Sequence, residues 1–316
     1  MTQLVRGSVL FIGLGNMGGA LASNLLRAGV DLAVADLSAR AREPFASRGI
    51  PAADFGADLP GDVVITSLPT DRTVREALLG ANGALAKRKR TTVIDMTSAS
   101  PTATKKLAAE LAERGIAMID APVSGGVPRA KVGEATTMVG GDPEIVERCR
   151  PLLSIMCSTI WHIGPIGAGH TMKVINNYIS AAALWATCEG LMIGSKAGLD
   201  LQTMVETLKT TSGHTNALDT KVVMSIMPRT FDYGFSLELV SKDISLAARL
   251  ARELDVPAPT LSQAEEHWLL AKSRFGGNAD FTNFVRLLEE WAGHELPVTS
   301  RRPPSVPVTT PNHNLA

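Results

Sequence analysis

The sequence predicts an α/β fold in its first half, an all-helical second half, and one long helix joining them. Three observations carry this reading. Short β-branched runs alternate with helical patterns as far as Ile163, a nearly unbroken apolar stretch follows the turn ending at Gly169, and beyond about Gly194 strand signals stop. Alternation of this kind belongs to a mostly parallel, doubly wound sheet, whose ligands gather beyond the carboxyl ends of the strands. A chain of 316 residues is comfortable for two domains. The expected divisions are 1–165 for the sheet domain, 166–195 for the interdomain helix, 196–295 for the helical domain, and 296–316 for an irregular tail.

Residues 8–12 form the first expected strand, and Gly13-Leu14-Gly15-Asn16-Met17-Gly18 follows at once, before a helical pattern that ends at Gly29. A second strand, Leu32–Ala35, ends on Asp36. Alone, a Gly-X-Gly-X-X-Gly string is weak; between a strand and a helix, with an acid closing the next strand, it reads as a dinucleotide fingerprint. Gly13, Leu14, Gly15, Asn16 and Met17 are therefore expected at a pyrophosphate, which the helix N-terminus would receive with its unpaired N–H groups. Asp36 is expected at the adenosine ribose hydroxyls. Leu37 and Ser38 follow it, so no cation stands there to neutralise a 2′-phosphate, and NAD is expected over NADP. Arg40 and Arg42 are the nearest cations.

Two further strands, 62–68 and 91–95, run out at Leu68-Pro69 and at Met96-Thr97-Ser98, where ligands of such a sheet are expected. A helix is expected over 101–114 between the second of these and the next strand. The basic run 87–90 reads as a solvated loop. Strand Ala117–Asp120 leads into Ala121-Pro122-Val123-Ser124-Gly125-Gly126, where a hydroxyl and two glycine N–H groups offer a nest for a carboxylate. Residues 138–142 read as a strand with a turn, 143–153 as a helix, and 161–163 as a last strand in which His162 has a structural place.

The interdomain helix carries Lys173 and Asn177, four residues apart and so on one face. It is apolar nearly all round, the pattern of a buried helix. A lysine in such company is costly to bury unless something uses or pairs it. Helices are expected over 201–210, 217–227, 237–254, 261–273 and 280–292, and Pro297, Pro303, Pro304, Pro307 and Pro311 exclude one thereafter.

Lysine plus arginine is 31 and aspartate plus glutamate 31, for a formal net charge of +0, so neither nucleic acid nor a membrane surface is an expected partner. No apolar segment is long enough to span a bilayer. Three cysteines lack metal-ligand spacing, no metal is expected, and their use fits a reduced, cytoplasmic chain.

Over roughly residues 8–292 the chain resembles the β-hydroxyacid dehydrogenases, which include 3-hydroxyisobutyrate dehydrogenase and tartronate semialdehyde reductase. The glycine fingerprint, Asp120 through Gly126, Gly167-Ala168-Gly169 before Lys173-Val174-Ile175-Asn176-Asn177, and Phe235 through Lys242-Asp243 carry the likeness. It implies an N-terminal Rossmann domain, a helical domain that supports homodimers or homotetramers, and hydride transfer between NAD and a small 3-hydroxy acid. In those terms Lys173 is the general acid/base and Asn177 orients the substrate. Ser124, Gly125 and Gly126 hold its carboxylate, with Thr97 and Ser98 nearby. Lys242 lies near the nicotinamide, and Phe235 and Asp243 close the site.

Asp95-Met96-Thr97-Ser98 departs from the family's usual Asp-X-Ser-Thr by swapping the two hydroxyl residues. Asn176 stands where the related 6-phosphogluconate dehydrogenases carry histidine, which argues against that branch. Imine reductases share the architecture but usually lack the lysine, and a non-catalytic dinucleotide-binding module is a third reading that an intact Lys173, Asn177 and Ser124 disfavour.

Overall fold

The computed structural model describes residues 7–54, 59–86, 88 and 91–299. In chain order the first part comprises β1 (Val9–Ile12), α1 (Asn16–Arg27), β2 (Leu32–Ala35), α2 (Ala39–Ala46), β3 (Ala52–Ala53), β4 (Val63–Thr66), α3 (Asp71–Leu79) and β5 (Thr92–Asp95). It continues with α4 (Pro101–Ala112), β6 (Ala117–Asp120), β7 (Val123–Ser124), α5 (Gly126–Lys131), β8 (Ala135–Gly140), α6 (Pro143–Met156) and β9 (Cys157–Gly164). The strands form one sheet in the order β3-β2-β1-β4-β5-β6-β8-β7, with β9 paired to β8. From β3 to β6 every pairing is parallel. Strand β8 runs against β6 and β7 and alongside β9.

The order reverses at β1, whose neighbours are β2 on one side and β4 on the other. The crevice of a doubly wound sheet opens at the carboxyl ends of such a pair. Here the loops bearing Gly13 and Leu68 flank it. Strands buried on both faces need apolar residues in both registers. Val9 and Phe11 accordingly pack with Leu21, Leu25, Ile65 and Ile94, while Leu10 and Ile12 pack with Val64, Leu78, Val93 and Leu111.

The second part comprises α7 (Ala168–Lys196), α8 (Leu201–Lys209), a π-helical segment (Leu218–Ile226), α9 (Leu237–Glu253), α10 (Pro259–Phe275), a 3-10 turn (Phe281–Asn283) and α11 (Phe284–Ala292). Two compact units result. One holds the chain up to Asn176 with Arg249–Pro257; the other holds Asn177–Ala248 with the chain from Ala258. The helical unit is built on aromatics. Trp185 stacks on His267 at 4.5 Å between centroids, meets the fully buried Trp268 edge-on at 5.5 Å, and lies 4.7 Å from Phe284.

Several elements differ from the expectation. Helices α2, α3 and α5 and strands β3 and β7 are additional, all shorter than the stretch over which a hydrophobic period becomes legible. Helix α3 is marked instead by its capping box, in which the Thr70 hydroxyl accepts from the Thr73 N–H at 3.2 Å and the Thr73 hydroxyl from the Thr70 N–H at 3.0 Å. Strand β9 extends the expected 161–163 back to Cys157. The segment expected as an α-helix over 217–227 is π-helical. The expected helix 280–292 splits, because the Asp280 side chain caps a 3-10 turn before α11 begins. Helix α7 is not buried all round: Ile175, Ile179 and Ile193 are 40%, 58% and 71% exposed. Of the basic run 87–90, Arg88 is described and is no solvated residue; its guanidinium donates to the carbonyls of Leu59, Gly61 and Ala84. The remainder of that run, and the tail from Ser300, lie outside the described residues.

Candidate active site

The turn after β1 is shaped by close approach. A Cβ on Gly18 would stand 2.0 Å from the Gly13 carbonyl oxygen, so only glycine lets α1 start this close to the loop. Nothing lies within 4 Å of a Cβ on Gly15, which leaves open space in front of the helix. Gly15 is also the N-cap of α1 and supplies no side-chain acceptor to its first N–H groups. An open cradle before an uncapped helix N-terminus fits a pyrophosphate. Asn16 is exposed and Met17 half-buried at this mouth, with Leu68 and Pro69 on the neighbouring loop.

Asp36, at the end of β2, is tied to the same loop. Its Oδ2 accepts the Leu14 N–H and its Oδ1 the Ser38 N–H, both at 2.7 Å. Arg42 turns back and donates to the Asp36 carbonyl oxygen at 2.5 Å. A carboxylate held beside the fingerprint loop retains free lone pairs for ribose hydroxyls.

At the ends of β4 and β5 the buried Asp95 accepts from the Thr66 hydroxyl at 2.9 Å and the Thr97 N–H at 3.0 Å. The Thr97 hydroxyl in turn accepts the Leu68 N–H at 3.1 Å. Thr97 is only 2% exposed. The swapped residue thus braces the loops that follow β4 and β5, because an N–H shielded from water must find an acceptor. Ser98 is half-buried.

Ser124 pairs with Thr136 of β8, and Gly125 and Gly126 leave it with φ of 119° and 74°. Gly125 caps α5 without a side-chain hydrogen bond, so the first N–H groups of α5 have no side-chain acceptor at the cap.

The start of α7 is anchored by Asp120, which the sequence reading quoted within a motif without giving it a role. Asp120 is fully buried at the end of β6; its Oδ1 accepts the Gly167 N–H at 2.6 Å and its Oδ2 the His170 N–H at 2.7 Å. These are orphan donors of a helix N-terminus, taken by a charge the helix dipole favours. A Cβ on Gly169 would meet the Met138 carbonyl oxygen at 2.2 Å, which is how the helix reaches the sheet edge. His170, also missed, is fully buried with Nδ1 2.7 Å from the Thr104 hydroxyl. That hydroxyl donates to the Ser100 carbonyl at 3.0 Å, so it accepts from Nδ1, and among the described residues Nε2 has no partner. Lys173 follows one turn after the anchored residues and is 8% exposed.

In the helical unit Asn177 donates its amide to Asp243 Oδ2 at 2.6 Å, and Lys242 Nζ stands 3.2 Å from Asp243 Oδ1. Asp243 is 2% exposed. A carboxylate only accepts, so this contact fixes which end of the Asn177 amide is nitrogen and orients its carbonyl oxygen. Asp243 thus holds both Asn177 and Lys242 within its own unit. Phe235 meets Phe281 edge-on at 5.6 Å. His162, expected as structural, places Nε2 at 3.0 Å from the Gly141 carbonyl and 3.1 Å from that of Gly164. An apolar groove of about 340 Å³ beside the start of α7, lined by Lys105, Ile163, Ile166 and Met172, contains none of the residues expected to act.

Residues 8–164 match the family described as the NAD binding domain of 6-phosphogluconate dehydrogenase, and 167–288 the one described as NAD-binding of NADP-dependent 3-hydroxyisobutyrate dehydrogenase. The chain is 35% identical to the 2-(hydroxymethyl)glutarate dehydrogenase of Eubacterium barkeri, covering 90% of this chain and 95% of that one. It is 37% identical to the NAD-dependent L-serine dehydrogenase of Pseudomonas aeruginosa, covering 90% and 99%. Among solved structures, Mycobacterium tuberculosis 3-hydroxyisobutyrate dehydrogenase with L-serine superposes with a TM-score of 0.79 at 30% identity, over 89% and 99% of the two chains. An imine reductase from Myxococcus stipitatus, at 20% identity and a TM-score of 0.60, shares the fold.

Proposed function

The chain belongs to the β-hydroxyacid dehydrogenase family, oxidoreductases that act on CH–OH groups with a nicotinamide cofactor, and we propose that Lys173 is the general acid/base of its reaction. The substrate class proposed is a small 3-hydroxy acid. 3-Hydroxyisobutyrate, a tartronate semialdehyde/glycerate pair and 2-(hydroxymethyl)glutarate stand as candidates, from the names of relatives. NAD is the proposed cofactor, with the ribose hydroxyls at Asp36 and the pyrophosphate at Gly13–Met17. We further propose a cytoplasmic location and a homodimer or homotetramer formed through the helical domain. Among the described residues no helix is long and apolar enough to cross a membrane.

When bound, the nicotinamide supplies or accepts the hydride. The protein's share is placement and proton transfer. Ser124 and the backbone of Gly125 and Gly126 hold the carboxylate, which orients the 3-hydroxyl toward Lys173. In oxidation the Lys173 amine accepts the hydroxyl proton; in reduction its ammonium returns one to the carbonyl oxygen. Asn177, oriented by Asp243, holds the substrate oxygen, and Phe235, Lys242 and Ser98 line the remainder. The observation that carries this reading is the lysine itself, buried one turn from an anchored helix start.

Replacing it tests the reading. Lys173→Ala should lower turnover by about 10²–10⁴-fold, the usual worth of a positioned acid or base, with NAD affinity measured by fluorescence titration held near that of the parent enzyme. Turnover above half of the parent value sinks the assignment.

A further inference from the structure

A cation beside the turn after β7 has no part in the proposed chemistry. Arg129, in α5, lays its side chain over Gly125. A Cβ on Gly125 would stand 3.3 Å from Arg129 Cδ, 3.4 Å from its Cβ and 3.6 Å from its Nε. The arginine stem therefore fills the space that a side chain at the turn would need. A Cβ on Gly126 would meet only Pro128 Cδ, at 3.7 Å, so the turn is open there.

Arg129 is exposed, and among the described residues its guanidinium has no hydrogen-bond or ion-pair partner. Glu134 is the nearest acid in the chain. Its N–H donates to the Arg129 carbonyl at 2.9 Å, yet its carboxylate makes no ion pair with the guanidinium. The Ser124 hydroxyl, set in place by the pairing of β7 with β8, likewise has no partner among the described residues. An unengaged hydroxyl and an unengaged guanidinium thus flank Gly125. Helix α5 meets α1 at Asn24 and Arg27, which donate to the carbonyls of Ala130 at 2.8 Å and Lys131 at 2.7 Å. Asn24 lies about 12 Å along α1 from Asn16 at 1.5 Å per residue. That favours a ligand at the Ser124 turn over the phosphates of the cofactor.

We propose that Arg129 is the counter-ion of the substrate carboxylate at the Ser124 turn and gives the enzyme its preference for acids over uncharged analogues. Residues 124–128 carry no charge, so a carboxylate held there by a hydroxyl and N–H groups alone would leave water without a counter-ion. A guanidinium supplies that charge, and its fork of N–H groups matches the two oxygens of a carboxylate. The inference rests on the proposed function, which puts the carboxylate at this turn, and deepens it by assigning the charge that reads it.

The test compares kcat/KM for 3-hydroxyisobutyrate and its methyl ester in the parent enzyme, Arg129→Met and Arg129→Lys, at low and high salt. Arg129→Met should lower the acid-over-ester ratio roughly tenfold, the worth of a hydrogen bond to a charged group. The loss should fall on KM for the acid more than on kcat. Added salt should narrow the gap between the parent and Arg129→Met for the acid, because an exposed charge is screened. Arg129→Lys keeps the charge without the fork, so it should keep the salt dependence and part of the ratio. A ratio unchanged by Arg129→Met overturns the proposal. So does a rise in KM for NAD in its place, which would put the arginine at the cofactor. Should Arg129→Met fail to fold, the parent enzyme decides: a KM for the acid that is indifferent to salt overturns the proposal, and one that climbs with salt while that of the ester does not supports it. The two readings fail separately. Acid preferred over ester to the same degree in the parent and Arg129→Met leaves the proposed function standing without Arg129. With no 3-hydroxy acid turned over, the proposed activity is removed, and calorimetry with NAD present decides the rest. 3-Hydroxyisobutyrate bound by the parent and lost in Arg129→Met supports the anion site alone; no binding by the parent overturns it.

Discussion

The carboxylate of Asp120 accepts the backbone N–H of His170 at 2.7 Å, across fifty residues of sequence. With its other oxygen on the Gly167 N–H at 2.6 Å, it pins the start of the helix that carries Lys173. Asp120→Asn keeps the shape but turns one acceptor into a donor facing an N–H group. Loss of a buried charged cap should cost about 2–3 kcal/mol, readable by urea unfolding as a lower midpoint with an unchanged slope. The displaced lysine should lower kcat more than it raises KM. A variant with parental stability and kcat would show that the helix start is held by its other contacts.

Cofactor choice turns on Asp36. Its carboxylate faces the fingerprint loop through Leu14, and Arg42 is engaged with the Asp36 carbonyl. A 2′-phosphate would meet a fixed negative charge, at a cost of order 1–3 kcal/mol, so kcat/KM should favour NAD over NADP by roughly 10- to 100-fold. The comparison is made at fixed substrate and ionic strength. Equal values, or an NADP preference, would mean that Arg42 or Arg40 reads the phosphate.

The turn at Ser124 should select acids. Methyl esters of the hydroxy acid substrates lack the charge that Ser124 and the following N–H groups are proposed to hold, and each lost charge-assisted bond is worth about 1.5–3 kcal/mol. Esters should therefore be at least roughly tenfold poorer in kcat/KM. An ester turned over as well as its acid would show that the carboxylate binds elsewhere.

Cys149, Cys157 and Cys188 are all buried. Burial pushes the Cys149 thiol up to about 11 and that of Cys157 to about 12, and raises Cys188 as well. At pH 8 the thiolate fraction of a group near 11 is about one in a thousand, and the thiolate is the reactive form. Iodoacetamide should leave the native protein unlabelled over an hour and label all three thiols in denaturant, as intact mass will show. Reactivity should grow as pH rises. Stoichiometric labelling of the folded protein at pH 8 would contradict this burial.

The chain alone determined what depends on residues close together in sequence. A strand, Gly13 to Gly18, a helix and then Asp36 specify the β1–α1–β2 unit, and four-residue spacing specifies that Lys173 and Asn177 share a face. Local spacing is enough there because backbone geometry repeats with a fixed period. What only the tertiary structure decided lies between residues far apart. Thr97 reaches Leu68 across 29 residues, Asp120 reaches His170 across 50, and Asn177 reaches Asp243 across 66. Thr97, Asp120 and Asp243 are buried polar groups meeting the partners that burial obliges them to find, and no period in the sequence says which partners those are. The π-helical turn over Leu218–Ile226 belongs with them, since its residues read locally as an ordinary helix and packing set the wider turn.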